Sequence, residues 1–170
     1  MTPWIILAGF LGASIFIFIQ MAIGESAMND SILIEHPPQK VFQTLVNPEN
    51  ITRISQNIGN IQLETQGLLE KGSRYRRVLY SHGLPNPQVV TIEELEQDRR
   101  LTTKTTLVGF DVTYRYVLEP ASDGKTLLSL KKEGQGGWFI FKPLLIHLLT
   151  RPEHDGGHLA LIKTIVESQP

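Results

Sequence analysis

The chain has 170 residues, of which 16 are basic and 17 acidic, and it contains no cysteine. Because the charge is close to neutral and mixed in sign, no basic footprint for nucleic acid is present, and nucleic acid is not expected as a partner. The absence of cysteine excludes disulfides, thiolate metal sites and cysteine nucleophiles.

The N-terminal segment is predicted to be a transmembrane anchor over residues 1–24. No charged side chain occurs between Pro3 and Ile23, and a helix of about 20 apolar residues spans about 30 Å of hydrocarbon. The alternative is a cleaved signal peptide, because small residues precede Glu25. The first Lys or Arg is Lys40, so the positive-inside rule favours a soluble domain outside the cytoplasm.

The remaining residues, about 145, suffice for one domain with a single hydrophobic core. Residues 25–30 are predicted to be a linker, and residues 31–35 a short strand that ends before two prolines. Apolar side chains at helical spacing then predict two short helices, the first carrying Val41 and Leu45 and the second around residues 51–54.

Six further segments have the two-residue period of a β-strand. The connections between them are too short for crossover helices, so the sheet is expected to be an antiparallel meander. The clearest alternation places Phe110, Val112, Tyr114 and Tyr116 on one face. The six predicted strands are residues 61–69, 73–80, 88–96, 101–108, 110–119 and 125–132, with a loop at residues 82–87.

A glycine-rich turn at residues 134–137 precedes a helical pattern that runs to the C-terminus. The pattern is interrupted by Pro152, so a kink is expected near residue 150. The predicted helix over residues 138–149 is apolar on nearly all sides, and it is too short to span a bilayer. We therefore expect it to be buried on two sides or to touch the membrane surface. The helix face predicted to lie on the sheet comprises Phe141, Leu148, Pro152, Gly156, Leu159, Ile162 and Val166.

Three short segments are similar to sequence motifs of the START-like or SRPBCC superfamily. Residues 32–42 resemble its opening strand and helix start, residues 45–50 its helix end, and residues 116–126 a later hairpin. The resemblance covers residues 31–168 and, more narrowly, points to the polyketide cyclase/dehydrase and lipid-transport group. It implies an α+β helix-grip fold, in which an antiparallel seven-stranded sheet curls around a long C-terminal helix.

The resemblance implies a cavity between sheet and helix that holds an apolar small molecule such as a lipid, sterol, quinone or polyketide. No catalytic, cofactor or metal motif is found, so membrane-tethered binding is preferred. The alternatives are a cyclase/dehydrase-like or hydrolytic enzyme using the same cavity, and an interaction module with a filled core. The residues predicted to line the cavity are Val78, Tyr80, Phe110, Tyr114, Tyr116, Leu145, Leu148 and Gly156.

The spacing of His147, His154 and His158 would bring them together on an unbroken helix and suggests a metal site. The same helical count places them opposite the apolar face, so a solvated polar face is preferred.

Two sets of charged residues on the predicted strands were also considered as candidate functional groups. Arg74, Arg76 and Arg77 either meet the acidic head group of a ligand or form an outer-face charge network. Glu93, Glu94 and Glu96 are interpreted as exposed edge charges.

Overall fold

The computed structural model describes residues 26–54, 58–64, 69–81, 84–107, 110–136 and 155–169. These residues form a seven-stranded sheet in which all neighbouring strands are antiparallel. The strands are β1 Ser26–Ile34, β2 Ile58–Leu63, β3 Arg74–Ser81, β4 Leu84–Glu96, β5 Arg100–Leu107, β6 Phe110–Pro120 and β7 Thr126–Gly136. Strands β2 to β7 follow in chain order, and β1 lies beside β7. The predicted antiparallel meander is confirmed.

Two short helices follow β1, and a longer helix ends the described chain. The first helix begins at Pro38, whose fixed φ and missing N–H suit a first helical turn. It buries Val41 and Leu45, and the second helix buries Ile51 and Ile54. Both pack against the last helix, which also packs against β1. The helices are α1 Pro38–Val46, α2 Pro48–Ile54 and α3 Asp155–Ser168.

Strands β1 and β7 are both longer than the sequence predicts. Ser26 pairs with Gly134 and Asp30 with Leu130, so residues 26–30 continue the strand and the linker prediction is wrong there. The two extensions stabilise each other through the ladder between them, although neither has a marked strand pattern of its own.

Strand β4 begins at Leu84, although residues 82–87 were predicted to be a loop. Pro85 and Pro87 lie opposite Tyr80 and Val78 of β3. Pairing of β4 with β5 starts only at residue 90, so this part of β4 has an edge without a described strand partner. Proline is tolerated at such an edge because the missing N–H interrupts no ladder there.

A β-bulge shifts the pairing of β4 with β5 between Ile92 and Glu94. After the bulge, Glu94 and Glu96 both form ion pairs with Arg100. Pairing of β4 with β3 ends at Thr91, so residues 93–96 have β5 as their one described strand partner. Glu93 and Glu96 are exposed there, which agrees with the interpretation of edge charges. Bulges of this kind increase the local twist and bend the strand.

The sheet curls around α3, whose Leu159, Ile162 and Val166 are almost completely buried. Among the helices that the structure describes, none combines the length and hydropathy needed to cross a membrane. The predicted anchor at residues 1–24, the apolar segment at 138–149 and the kink near residue 150 lie outside the described residues.

Candidate ligand-binding site

The two faces of the sheet differ in chemistry, and alternation of burial along the strands distinguishes them. On β6, Val112, Tyr116 and Leu118 are buried, whereas the intervening Thr113 and Arg115 are more exposed. Side chains directly opposite each other in an antiparallel ladder share a face, so the pairing extends this assignment to the neighbouring strands. We call the face with Val112 and Tyr116 the inner face and the other the outer face. The alternation predicted for this strand is confirmed.

At one end of the sheet the inner face is apolar and packs against α3. Leu128 lies opposite Leu118, and Leu130 lies opposite Tyr116. These side chains form one buried cluster with those of α3, and Ile162 and Val166 within it have no exposed surface. We call this region the apolar half, and it consists of Leu101, Leu118, Leu128, Leu130, Leu159, Ile162, Ile165 and Val166.

His158 lies on the side of α3 that faces the sheet, and its Nε2 atom is 2.8 Å from the Tyr116 hydroxyl oxygen. The two ring centroids are 6.0 Å apart. The predicted solvated polar face is therefore wrong for His158, while His147 and His154 lie outside the described residues.

The error in the helical phase has a simple cause. The prediction centred the inward face by including positions 141, 148 and 152, which lie outside the described helix. Burial centres its inward face on Ile162, and His158, four residues earlier, is about 40° away on an ideal helix. The predicted inward positions Leu159, Ile162 and Val166 are nevertheless confirmed.

Beyond Tyr116 the inner face is mixed: Val90, Ile92 and Val112 are buried, and polar side chains lie among them. Tyr114 pairs with Lys132, and the Lys132 ammonium lies 5.5 Å from the centroid of the Tyr114 ring, within the range of a cation–π contact. Lys132 is only 9% exposed. We call this region the polar half, and it is lined by Tyr75, Arg77, Gln88, Thr103, Thr105, Tyr114 and Lys132.

Strands β3 and β4 supply the far wall of the polar half. Arg77 lies opposite Gln88, and its Nε donates a hydrogen bond of 2.9 Å to Gln88 Oε1. Burial raises the pKa of the Tyr75 hydroxyl; the charge of Arg77 opposes this shift, and Tyr114 adds to it. Tyr75 and Tyr114 lie on the same face, with two strands between them.

The structure brings together only part of the predicted cavity lining. Tyr114 and Tyr116 lie on the inner face, as expected. Val78 and Tyr80 alternate with Tyr75 and Arg77 and therefore lie on the outer face, where Tyr80 is 42% exposed and its ring lies beside Gly59. The side chain of Phe110, the surroundings of Gly156, and residues Leu145 and Leu148 lie outside the description.

Sequence reasoning did not assign six polar residues to this side of the sheet, namely Tyr75, Gln88, Thr103, Thr105, Lys132 and His158. Arg77 was grouped with Arg74 and Arg76, although a strict two-residue period separates Arg77 from both. Lys132 continues the buried series Thr126, Leu128 and Leu130 on β7. That period was the available signal for Arg77, Gln88 and Lys132, whereas His158 lies on α3, whose inward face was predicted to be centred farther from it.

The outer face carries a network of ion pairs. Arg76 lies 2.7 Å and Arg74 3.7 Å from Glu64, so two of the three arginines belong to the charge network that was one of the two predictions. Lys104 lies 2.9 Å from Asp111. The neighbouring positive charges lower the pKa of the Glu64 and Asp111 carboxyl groups, in each case chiefly through a side-chain hydrogen bond.

Comparisons of sequence do not place the chain in a family: no family model matches it, and neither does any curated protein. Solved structures do match over most of the chain. The Zhui aromatase/cyclase from Streptomyces sp. R1128 is 9% identical, with a TM-score of 0.71 over 85% of this chain and 94% of that protein. A START superfamily protein from Mycobacterium smegmatis is 14% identical, with a TM-score of 0.66 over 85% and 98%.

Truncated norcoclaurine synthase from Thalictrum flavum is 7% identical, with a TM-score of 0.69 over 86% of this chain and 96% of that protein. Identities this low establish a shared fold rather than a shared activity. The curled antiparallel sheet with its C-terminal helix is the helix-grip architecture of the Bet v 1 and START-like proteins, as the sequence resemblance implied.

Proposed function

We propose that the chain binds an apolar small molecule against the polar half of the inner face. The observation that carries this proposal is the change along that face from a purely apolar surface to one in which tyrosine, threonine, glutamine and charged side chains lie among Val90, Ile92 and Val112. Polar groups are costly inside a purely structural core, whereas a few of them among apolar walls are typical of a ligand site. Structures with the same fold include a cyclase and norcoclaurine synthase, which supports a small-molecule ligand.

The first experiment is mass spectrometry of small molecules that copurify with the full-length protein. A fluorescent fatty acid or sterol probe then provides a binding assay. We expect Val112→Phe to abolish probe binding, because this substitution enlarges a side chain on the inner face. Thr113→Phe is the matched control. It introduces the same phenyl ring at the neighbouring position on the outer face and should leave binding unchanged.

A filled core would give the opposite pattern. Overpacking a filled core costs about 1–3 kcal/mol, so Val112→Phe would lower the unfolding free energy, and the parent protein would bind no probe. That combination would contradict the proposal and favour an interaction module without a ligand.

We further propose that residues 1–24 tether this domain to a membrane, with the domain outside the cytoplasm. The uncharged run between Pro3 and Ile23 and the absence of Lys or Arg before Lys40 support this arrangement. The full-length protein is expected to remain with membranes after alkaline carbonate washing. Recovery of a soluble mature protein beginning at Glu25 would contradict the tether and favour a cleaved signal peptide.

A second candidate function, an enzyme of the cyclase/dehydrase or hydrolytic type, is favoured by one specific contact. The hydrogen bond between Tyr116 and His158 places two proton-transferring groups at the border of the polar half. If the site is catalytic, the copurified molecule should be chemically converted over time by the parent protein but not by a His158→Gln variant. An unchanged molecule with both proteins would favour binding alone.

A further inference from the structure

We propose that the end of the sheet at which β1 begins lies on a lipid bilayer, where Tyr80 and Pro85 of the β3–β4 hairpin contact the lipid. This placement rests on the proposed tether at residues 1–24, and it specifies which surface of the domain the tether holds against the membrane. The partner in this contact is the headgroup region of the bilayer.

The strand registers bring several chain positions to this end of the sheet. β1 begins there at Ser26, which pairs with Gly134 of β7. The end of β7 and the end of β5 both lie opposite Phe110, the first residue of β6. β3 and β4 meet in a hairpin at the same end, where Ser81 pairs with Leu84. We call this end of the sheet the tether end.

One residue separates the predicted anchor from the sheet. The anchor is predicted to end at residue 24, and β1 begins at Ser26. A residue spans at most about 3.6 Å, so the tether end is held close to the bilayer. A free linker at residues 25–30 would have let any face of the domain turn toward the membrane, but pairing of residues 26–30 with β7 removes that freedom.

The β3–β4 hairpin extends beyond the adjoining pairing and carries exposed apolar side chains. Residues 84–89 precede the first residue of β4 that pairs with β5, a length of about 20 Å at about 3.3 Å per residue. Tyr80 is 42% exposed there, and Pro85 and Pro87 are exposed as well. Tyrosine is enriched at membrane interfaces, where its ring is apolar and its hydroxyl stays hydrated. Proline has no N–H to dehydrate, which favours contact with lipid.

The turns at the two ends of the sheet differ in charge. At the tether end, the turns at residues 82–83 and 108–109 have no acidic residue, Lys or Arg, and neither does the whole hairpin from residue 78 to 92. At the opposite end, the turns contain Asp98 and Asp123, each closely followed by a basic residue. Charged groups are costly to move into a bilayer, so the tether end is the better suited of the two.

The proposed ligand site lies toward the tether end as well. Along β6 the polar half begins beyond Tyr116 and continues toward Phe110, whereas the apolar half lies toward Pro120. An apolar molecule dissolved in the bilayer therefore has a short path to the polar half. This relationship makes a membrane-soluble molecule the class of ligand that suits the arrangement.

The test measures the distance of each end of the sheet from lipid. The chain contains no cysteine, so full-length Pro85→Cys and Ser122→Cys variants can each carry one environment-sensitive fluorophore. They are reconstituted into phosphatidylcholine vesicles with and without nitroxide-labelled lipid. We expect the nitroxide to quench the label at residue 85 and to leave the label at residue 122 unaffected. Ser122 is also exposed, but the 11 residues of β6 separate the two ends by about 36 Å.

A second pair of variants tests the contribution of Tyr80. Tyr80→Gln should reduce the quenching at residue 85. Leu33→Gln is the matched control, because Leu33 is 41% exposed but lies at the opposite end, and it should leave the quenching unchanged. If Pro85→Cys does not fold by circular dichroism, Pro87→Cys replaces it, because Pro87 is exposed on the same face of β4.

The outcomes separate this placement from the tether on which it rests. Flotation of the vesicles on a density gradient reports the tether by itself, and protein that does not float with them would contradict it. Quenching at neither position, or equally at both, in protein that floats would overturn the placement of the tether end and leave the tether standing. Quenching that Tyr80→Gln leaves unchanged would overturn the contact assigned to Tyr80.

Discussion

The hydroxyl of Tyr116 on β6 and the Nε2 atom of His158 on α3 are 2.8 Å apart, and this hydrogen bond joins the sheet to the C-terminal helix. It lies where the apolar half ends and the polar half begins. Below it, leucine and isoleucine side chains pack the helix on the sheet. The contact therefore couples the position of α3 to the edge of the proposed ligand site.

Removing either partner of this hydrogen bond should lower the unfolding free energy by about 1 kcal/mol. Chemical denaturation of Tyr116→Phe, His158→Gln and the double variant measures the effect, and the double variant should cost less than the two single changes together. Tyr80→Phe, on the exposed outer face, is the control. Unchanged stability in both single variants would mean that the contact contributes nothing.

Tyr75 should lose its proton above the ordinary pKa of a tyrosine on alkaline titration. Burial raises its pKa above the ordinary 10.0 in the folded protein. The folded state therefore holds this proton more tightly, and the resulting stability is complete below the ordinary pKa and is lost as the pH rises above it. Ultraviolet titration of the four tyrosines should lose a component that titrates above the ordinary pKa in Tyr75→Phe. Loss of the same component in Tyr80→Phe instead would contradict the assignment.

The ion pair between Lys104 and Asp111 should make stability depend on pH in the acidic range. The hydrogen bond from Lys104 lowers the pKa of Asp111 below its ordinary 3.8. The stability from this pair is present above the ordinary pKa and is lost as the pH falls through the lower, folded value. Asp111→Asn should therefore reduce the urea midpoint at neutral pH and have little effect at lower pH.

Salt provides the control for the Asp111 experiment. Both side chains are partly exposed, so about 1 M salt should screen the pair and shrink the difference between parent and variant. An equal difference at all pH values and salt concentrations would show that the charge is not responsible.

Gly157→Ala should raise the unfolding free energy by about 0.5–1 kcal/mol, because alanine has the higher helix propensity. Gly157 lies in the first turns of α3, and an added Cβ would meet no atom within 4 Å. Gly72→Ala is the contrasting control: it also has space, but its φ of +89° disfavours any side chain. Thermal unfolding of the two variants should shift in opposite directions, and a destabilised Gly157→Ala would indicate a close approach at α3.

The sequence by itself determined the order of elements and the alternation within the clearest strand. The two-residue period predicted β3 and β5 to β7 within a few residues, and the short connections required an antiparallel arrangement. Val112, Tyr114 and Tyr116 were placed on one face for the same reason, because side-chain alternation is a local property of an extended chain. Val41 and Leu45 likewise follow from helical spacing alone.

The tertiary structure decided which residues meet across the sheet. Residues 26–30 became a strand only because β7 pairs with them, and Pro85 fits into β4 only because pairing with β5 begins later. The face on which Tyr80 lies depended on pairing with β2 and β4, and the orientation of His158 depended on which side of α3 packs against the sheet. Local periodicity specifies which residues share a face, whereas long-range packing determines which face is covered and what it meets.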